Sequence, residues 1–203
     1  MGRLNTFPLS YKVQGQRIVI IGGGEEALNK IRLVTKTTAQ VVIISRRIEA
    51  DFSAFAVTVF QRSFAPSDLD NTALVFVAEQ GVDAELAKTE ARARAIPLNV
   101  GDVPADCDFY TPSIVDRAPL TVAISTEGDA PVLARLVRAR IEALLSPRLG
   151  RIAGLAGGLR KTVERLIADG ATRRRFYEAL VTSPEVEAAE QRGEGQLAAE
   201  QLL

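Results

Sequence analysis

The stretch RIVIIGGGEEALNKIRLV, residues 17–34, decides the fold. Its first five residues, Arg17 to Ile21, form an apolar, β-branched run of the kind found in strands buried on both faces. Three glycines follow. From Glu25 the apolar period lengthens, and Ala27, Leu28, Ile31 and Val34 fall on one face of a helix. Gly22, Gly24 and Ala27 fit the G-x-G-x-x-G/A spacing of a dinucleotide-binding turn. The first glycine makes the tight turn, the second lets a pyrophosphate approach the backbone, and the small third residue lets helix and strand pack closely. The helix N-terminus then offers free N–H groups to phosphate. Gly23 adds flexibility without specificity. A purely structural glycine turn is the competing reading, but the strand before and the amphipathic helix after supply the context the motif requires.

Outward from this unit, QVVIIS (40–45) reads as a second buried strand, and VTVF (57–60), ALVFVA (73–78) and IPLNV (96–100) as further strands. DAELAKTEARAR (83–94) reads as a helix with a polar face. Strands alternate with helices, so the expected class is α/β: a Rossmann-type, mostly parallel sheet with helices on both faces, followed by a helical C-terminal part. After Val100 the texture changes. GDVPADCDFYTPS is a loop rich in Asp and Pro, and PLTVAIS (119–125) is one more strand. Asp129 and Pro131 mark the start of a helix with Val132, Leu133, Leu136, Val137, Ile141, Leu144 and Leu145 on a broad apolar face. Pro147 and Gly150 punctuate the chain. A second helix follows, with Ile152, Leu155, Leu159, Val163, Leu166 and Ile167 at helical spacing and Gly170 as its end. RRRFYEALV (173–181) begins a third, and the polar tail EQRGEGQLAAEQLL is expected to fray.

Composition narrows the function. Lys+Arg and Asp+Glu are both 25, so bulk charge points to neither a nucleic-acid nor a membrane partner. One cysteine, Cys107, excludes an intrachain disulfide and is compatible with a reducing compartment. With no histidine either, the usual zinc and iron ligand sets are absent, and no resident metal site is expected. No apolar run reaches spanning length and no signal h-region is present, so a cytoplasmic location is expected. Gly2 and Thr6 match the loose myristoylation pattern, with nothing basic or lipid-facing to support it.

The second strand ends at Ser45, where an NAD enzyme often carries the acid that binds the ribose hydroxyls. Ser45 can still hydrogen-bond a ribose. Arg46 and Arg47 would suit a 2′-phosphate, so NADP is open on these residues alone, as is a solvated loop.

Three further stretches are more specific: LNVGD (98–102), TPSIVDRAPLTVAIST (111–126) and GDAPVLARLVRARIEALL (128–145). Together with IGGGEEALNK and RRRFYEAL, they make the chain closely resemble the precorrin-2 dehydrogenase/sirohydrochlorin ferrochelatase family, which includes the N-terminal module of bacterial sirohaem synthase. The resemblance runs in order to about residue 181. It implies an NAD-binding Rossmann domain over 1–112, a dimerisation segment over 113–147 and a C-terminal helical domain over 148–203, assembled as a homodimer. The implied activity is oxidation of precorrin-2 to sirohydrochlorin with NAD, followed in many members by insertion of ferrous iron, a substrate rather than a bound cofactor, to give sirohaem. The family's acidic residue follows an N-V-x-D strand end, here Asn99, Val100 and Asp102. Its cofactor contacts carry over to Glu25 and Glu26 and to Arg46 and Arg47; with Gly22, Gly23, Gly24, Ser45, Ala78, Asn99 and Val100 these are the expected cofactor-binding residues. The resemblance thus favours NAD despite the missing acid. Two departures stand out. Relatives often carry Thr-Asp or Asn-Asp after the alanine that ends the fourth strand, where this chain has Ala78-Glu79-Gln80. Where the sirohaem synthase module has Ser-Ser-Gly-Gly, this chain has Ser125-Thr126-Glu127-Gly128.

The chemistry suits a carboxylate. Dehydrogenation sends a hydride to the nicotinamide and a proton elsewhere, and chelation displaces two pyrrolic protons. Asp102 is the expected catalytic group, although an Asp before Pro104 is also a common turn former. Asp116 is expected to pair with its neighbour Arg117, and Cys107 to be a buried or incidental thiol rather than a ligand. The tetrapyrrole carries eight carboxylates and therefore calls for arginines. Arg117 and Arg135, with Ser125 and Thr126, are the expected substrate-binding residues; Arg138 and the Arg173–Arg175 cluster are further cations, and helix-start capping is the alternative for the two hydroxyls. Two other functions stay in view: a dehydrogenase whose product is metallated by a separate chelatase, and a catalytically silent NAD-binding regulatory module.

Overall fold

The computed structural model describes residues 3–203, and Gly2, acceptor of the myristoylation match, lies outside them. The chain forms two compact units, Met1–Thr111 and Pro112–Leu203. In the first, β1 (Arg17–Ile21) leads through the glycines into α1 (Glu25–Val34), then β2 (Gln40–Ser45), β3 (Val57–Gln61), β4 (Thr72–Val77), α2 (Val82–Ala93) and β5 (Leu98–Val100). All five strands pair in parallel, in the order β3-β2-β1-β4-β5. Strand order reverses between β1 and β4, which makes their C-terminal ends the switch point where α/β sheets bind ligands.

The apolar strands read as continuous runs because both faces of the sheet are covered. Ile18 and Ile20 join Val41, Ile43 and Phe76 beneath Ala27, Leu28, Ile31 and Val34 of α1. Val19 and Ile21 join Val42, Ile44, Val75 and Val77 beneath Ala84, Ala87 and Ala91 of α2. Three alanines on that helix let its backbone sit close to the sheet. β3 lies at an edge and is the most exposed strand of the five, with Phe60 40% accessible.

The second unit opens with a hairpin, β6 (Ser113–Arg117) and β7 (Leu120–Ile124), paired antiparallel with Val115 opposite Val122. β6 is not read from the sequence, because SIVDR contains only two adjacent apolar residues and no period. Five helices follow: α3 (Pro131–Leu144), α4 (Arg148–Leu166), α5 (Gly170–Thr182), α6 (Pro184–Gln191) and α7 (Gly195–Glu200). Two expectations need correction. Gly170 does not end α4 but begins α5, because Asp169 accepts the Thr172 N–H at 2.7 Å and acts as N-cap. Nor is the tail a frayed coil. Ser183 caps α6, and Val186 and Ala199 pack with Leu159, Val163, Phe176 and Leu180 in one apolar cluster. Among the described residues no helix is long and apolar enough to cross a membrane.

Candidate functional site

The glycine turn sits at the switch point. Gly22 has φ +138°, a conformation L side chains avoid, and donates its N–H to Ile44 O at 3.0 Å. A Cβ on it would stand 3.0 Å from the backbone of Ala78, so the end of β4 approaches β1 only because this residue is glycine. Gly23 has its own requirement, which the sequence reading missed. Its carbonyl accepts the N–H groups of Glu49 and Ala50 at 2.8 and 2.9 Å, and a Cβ would be driven into the Arg47 carbonyl. Gly24 is the N-cap of α1 and has no side-chain cap; the nearest atom to a Cβ there is Glu49 Oε2 at 3.8 Å. Its backbone face is open, as an approaching phosphate would need. Glu25 is exposed and pairs with Arg32, while Glu26 pairs with Lys30 at 2.9 Å and leans against Gly101.

At the end of β2 the expected binding residues are already engaged. Arg46 forms a two-pronged bond to Asp83 in the first turn of α2, Nε–Oδ2 2.8 Å and Nη2–Oδ1 2.9 Å. These bonds hold the Asp83 carboxyl below the usual range and raise the Arg46 guanidinium further. Arg47 pairs with Glu49 at 3.0 Å on the surface. Ser45, only 3% exposed, donates its hydroxyl to Glu79 Oε2 at 2.7 Å and accepts the Arg47 N–H at 3.3 Å.

At the end of β5, Leu98 N–H donates to the Asp108 carboxylate at 2.9 Å, and Val100 N–H donates to the Cys107 thiol at 3.2 Å. The thiol lies 3.3 Å from Val100 O and closes the loop beyond the strand. Asp106 is tied to Lys88 and Arg92, which hold its carboxyl low. Asn99 donates through Nδ2 to Phe109 O at 2.9 Å, yet its buried Oδ1 finds no partner. Asp102 follows in a left-handed conformation, φ +59°, with an exposed carboxylate that makes no hydrogen bond or ion pair among the described residues. Asp106 and Asp108 beyond it are hydrogen-bonded, whereas the Asp102 carboxylate has no partner among the described residues.

In the second unit, Arg117 is spent on structure: Nε donates to Leu145 O at 2.9 Å, Nη2 to Glu142 O at 3.0 Å and Nη1 to Asp116 O at 2.8 Å. It latches the hairpin to the end of α3. The expected side-chain pair with Asp116 does not form, because adjacent strand residues point to opposite faces; Asp116 Oδ1 accepts Ala118 N–H instead. Ser125 accepts Glu127 N–H at 3.1 Å and Thr126 accepts Ala130 N–H at 3.2 Å, so both hydroxyls support the turn into α3. Arg135 is exposed and unpaired among the described residues, whereas Arg138 pairs with Glu142. In the first unit, Gly22–Gly24, Glu26, Ser45, Ala78, Asn99 and Asp102 thus gather at the C-terminal edge of one sheet.

A family model described as putative NAD(P)-binding matches residues 9–113, one described as sirohaem biosynthesis protein central matches 117–144, and one described as sirohaem synthase dimerisation region matches 148–203. The chain is 41% identical over 187 residues to a siroheme synthase of Pseudomonas entomophila (strain L48), covering 89% of this chain and 40% of that protein. It is 42% identical over 175 residues to a siroheme synthase of Ectopseudomonas mendocina (strain ymp), with 84% and 38% covered. The chain thus spans about two fifths of the length of the curated relatives it matches. Among solved structures, SirC, precorrin-2 dehydrogenase, shares the fold with a TM-score of 0.76 at 16% identity, over 96% of this chain and all of that one.

Proposed function

The chain belongs to the family that joins a putative NAD(P)-binding domain to the sirohaem biosynthesis central and sirohaem synthase dimerisation regions, and from that premise we propose that it oxidises precorrin-2 to sirohydrochlorin with NAD and then inserts ferrous iron to give sirohaem. The observation that supports this reading most is Asp102: an exposed carboxylate, unpaired among the described residues, at the edge of the sheet where the glycine turn opens. The residues present suit a dinucleotide. Gly22 lets β4 close on β1, Gly24 leaves space beside the turn, and the free N–H groups of α1 would face a phosphate there. Bound NAD would accept the hydride. Asp102 would take the proton lost from the tetrapyrrole and later assist removal of the two pyrrolic protons that iron displaces. Asn99 Oδ1, buried and unsatisfied, would accept a hydrogen bond from the cofactor. On the second unit, Arg135 remains free to meet a substrate carboxylate, whereas Arg117 would act by holding the hairpin. The active protein would be a homodimer.

The test is anaerobic: supply precorrin-2 and NAD+, follow NADH, then add Fe(II) and follow the sirohaem spectrum. NADH must form; its absence sinks both activities and leaves the silent NAD-binding module. NADH without sirohaem above the non-enzymatic background would restrict the protein to dehydrogenation. Asp102→Ala is expected to lower turnover at least about 100-fold, the scale of one general acid–base group, with NAD+ affinity nearly unchanged. Turnover that survives the substitution would move the chemistry elsewhere.

A further inference from the structure

The sequence places no acid at the end of β2, and it places a glutamate, Glu79, just beyond the end of β4. The structure joins them. Glu79 leaves the end of β4, and its Oε2 lies 2.7 Å from the Ser45 hydroxyl at the end of β2. β1 lies between those strands, so the Glu79 side chain spans the end of β1 beside Gly22. The end of β2, about twenty residues beyond the glycine motif, is where an acid normally binds the ribose of the adenosine half. A carboxylate is therefore present at that place, delivered from a different strand.

We infer that Glu79, held by Ser45, reads the ribose 2′-hydroxyl of the dinucleotide and turns away a 2′-phosphate. The inference rests on the dinucleotide reading above. Three observations carry it. The Ser45 hydroxyl has one proton, with Glu79 Oε2 at 2.7 Å and Arg47 O at 3.0 Å as its acceptors, and it accepts from Arg47 N–H, so it has no proton left for the ribose. Glu79 has a second oxygen to accept one. The cation best placed for a 2′-phosphate, Arg46, has Nε and Nη2 committed to Asp83. Arg47 alone remains, on an exposed pair with Glu49, and a phosphate reaching it would meet the Glu79 charge.

Isothermal titration of the full chain with NAD+, NADP+ and 2′-deoxy-NAD+ tests this. The intact protein should bind NAD+ about ten-fold more tightly than 2′-deoxy-NAD+, the value of one charge-assisted hydrogen bond. In Glu79→Ala that difference should vanish. In Glu79→Gln, whose amide oxygen can still accept the Ser45 hydroxyl, the preference for NAD+ over NADP+ should fall at least about ten-fold. If Glu79→Ala weakens NAD+ and 2′-deoxy-NAD+ equally, Glu79 merely supports the loop and the inference is overturned. If the intact protein binds NAD+ but neither variant alters these ratios, the inference fails while the dinucleotide reading stands. If the intact protein binds no dinucleotide, both fall.

Discussion

Single residues can be required for opposite reasons within one helix. Gly150, in the first turn of α4, is buried, and a Cβ on it would be driven into the Arg117 carbonyl. Gly157 and Gly158, two turns on, have nothing within 4 Å of a Cβ. Gly150→Ala should therefore destabilise the helical unit by about 1–3 kcal/mol, the cost of overpacking. Gly157→Ala and Gly158→Ala should each stabilise it by about 0.5–1 kcal/mol, the helix preference for alanine. Urea midpoints of the three variants check this, and the same sign at all three positions would contradict the close approach. The contrast was not legible in the sequence, where Gly150 reads as punctuation. The same holds for Gly23, whose requirement comes from the Arg47 carbonyl, a neighbour brought in by the fold. Gly22 was legible, because its turn is set by a local motif.

Between elements, the Arg46–Asp83 fork ties the end of β2 to the first turn of α2. Arg46 holds the Asp83 carboxyl below its ordinary value, so the unfolded chain takes up this proton first as the pH drops. The stabilisation is fully present above about pH 4, the unfolded value, and is lost as pH falls through the depressed folded value. Asp68, held low by Arg62, and Asp106, held low by Lys88, add the same sign in the same window. Asp83→Asn should lower stability at neutral pH and flatten its fall below about pH 4. Urea unfolding at a series of pH values measures both, and parallel curves for the two proteins would remove Asp83 from the acid response. This fork marks the limit of sequence reading at the element scale. β1 and β2 were legible to the residue and the parallel pairing followed from alternation, since buried strands advertise themselves by unbroken apolar runs. Asp83 gave no signal that it would engage Arg46, because the partners are distant in sequence. β6 and the terminal helices were hidden for a related reason: their few apolar residues gain meaning only from what they pack against.

For the whole molecule, much of the apolar face of α3 stands uncovered by any described residue. The sequence marks it as apolar over a wide face, yet within the folded chain only Ala134 of that helix is buried. Val132 and Leu133, each one turn from Leu136, stand 59 and 54% exposed beside its 58%, and Leu144 lies exposed further along the helix at 83%. An exposed row of this kind on a folded unit marks an interaction surface, and a second copy is the simplest partner. The family description puts the name dimerisation region further on, over residues 148–203, where α7 exposes Leu197 at 64%. Two substitutions separate these surfaces. For the homodimer proposed above, Leu136→Glu is expected to give a monomer at micromolar concentration with its helical content intact, and Leu197→Glu to leave the assembly whole. Sedimentation velocity and circular dichroism read both. A monomeric Leu197→Glu beside a dimeric Leu136→Glu would move the interface to the terminal helices, and a monomeric parent protein would remove it altogether. The same experiment bears on function. NAD+ titration of a folded Leu136→Glu monomer should be nearly normal, because Gly22–Gly24, Ser45 and Glu79 all belong to the first unit. If turnover with precorrin-2 falls while NAD+ affinity holds, the second copy is needed for the tetrapyrrole and not for the dinucleotide.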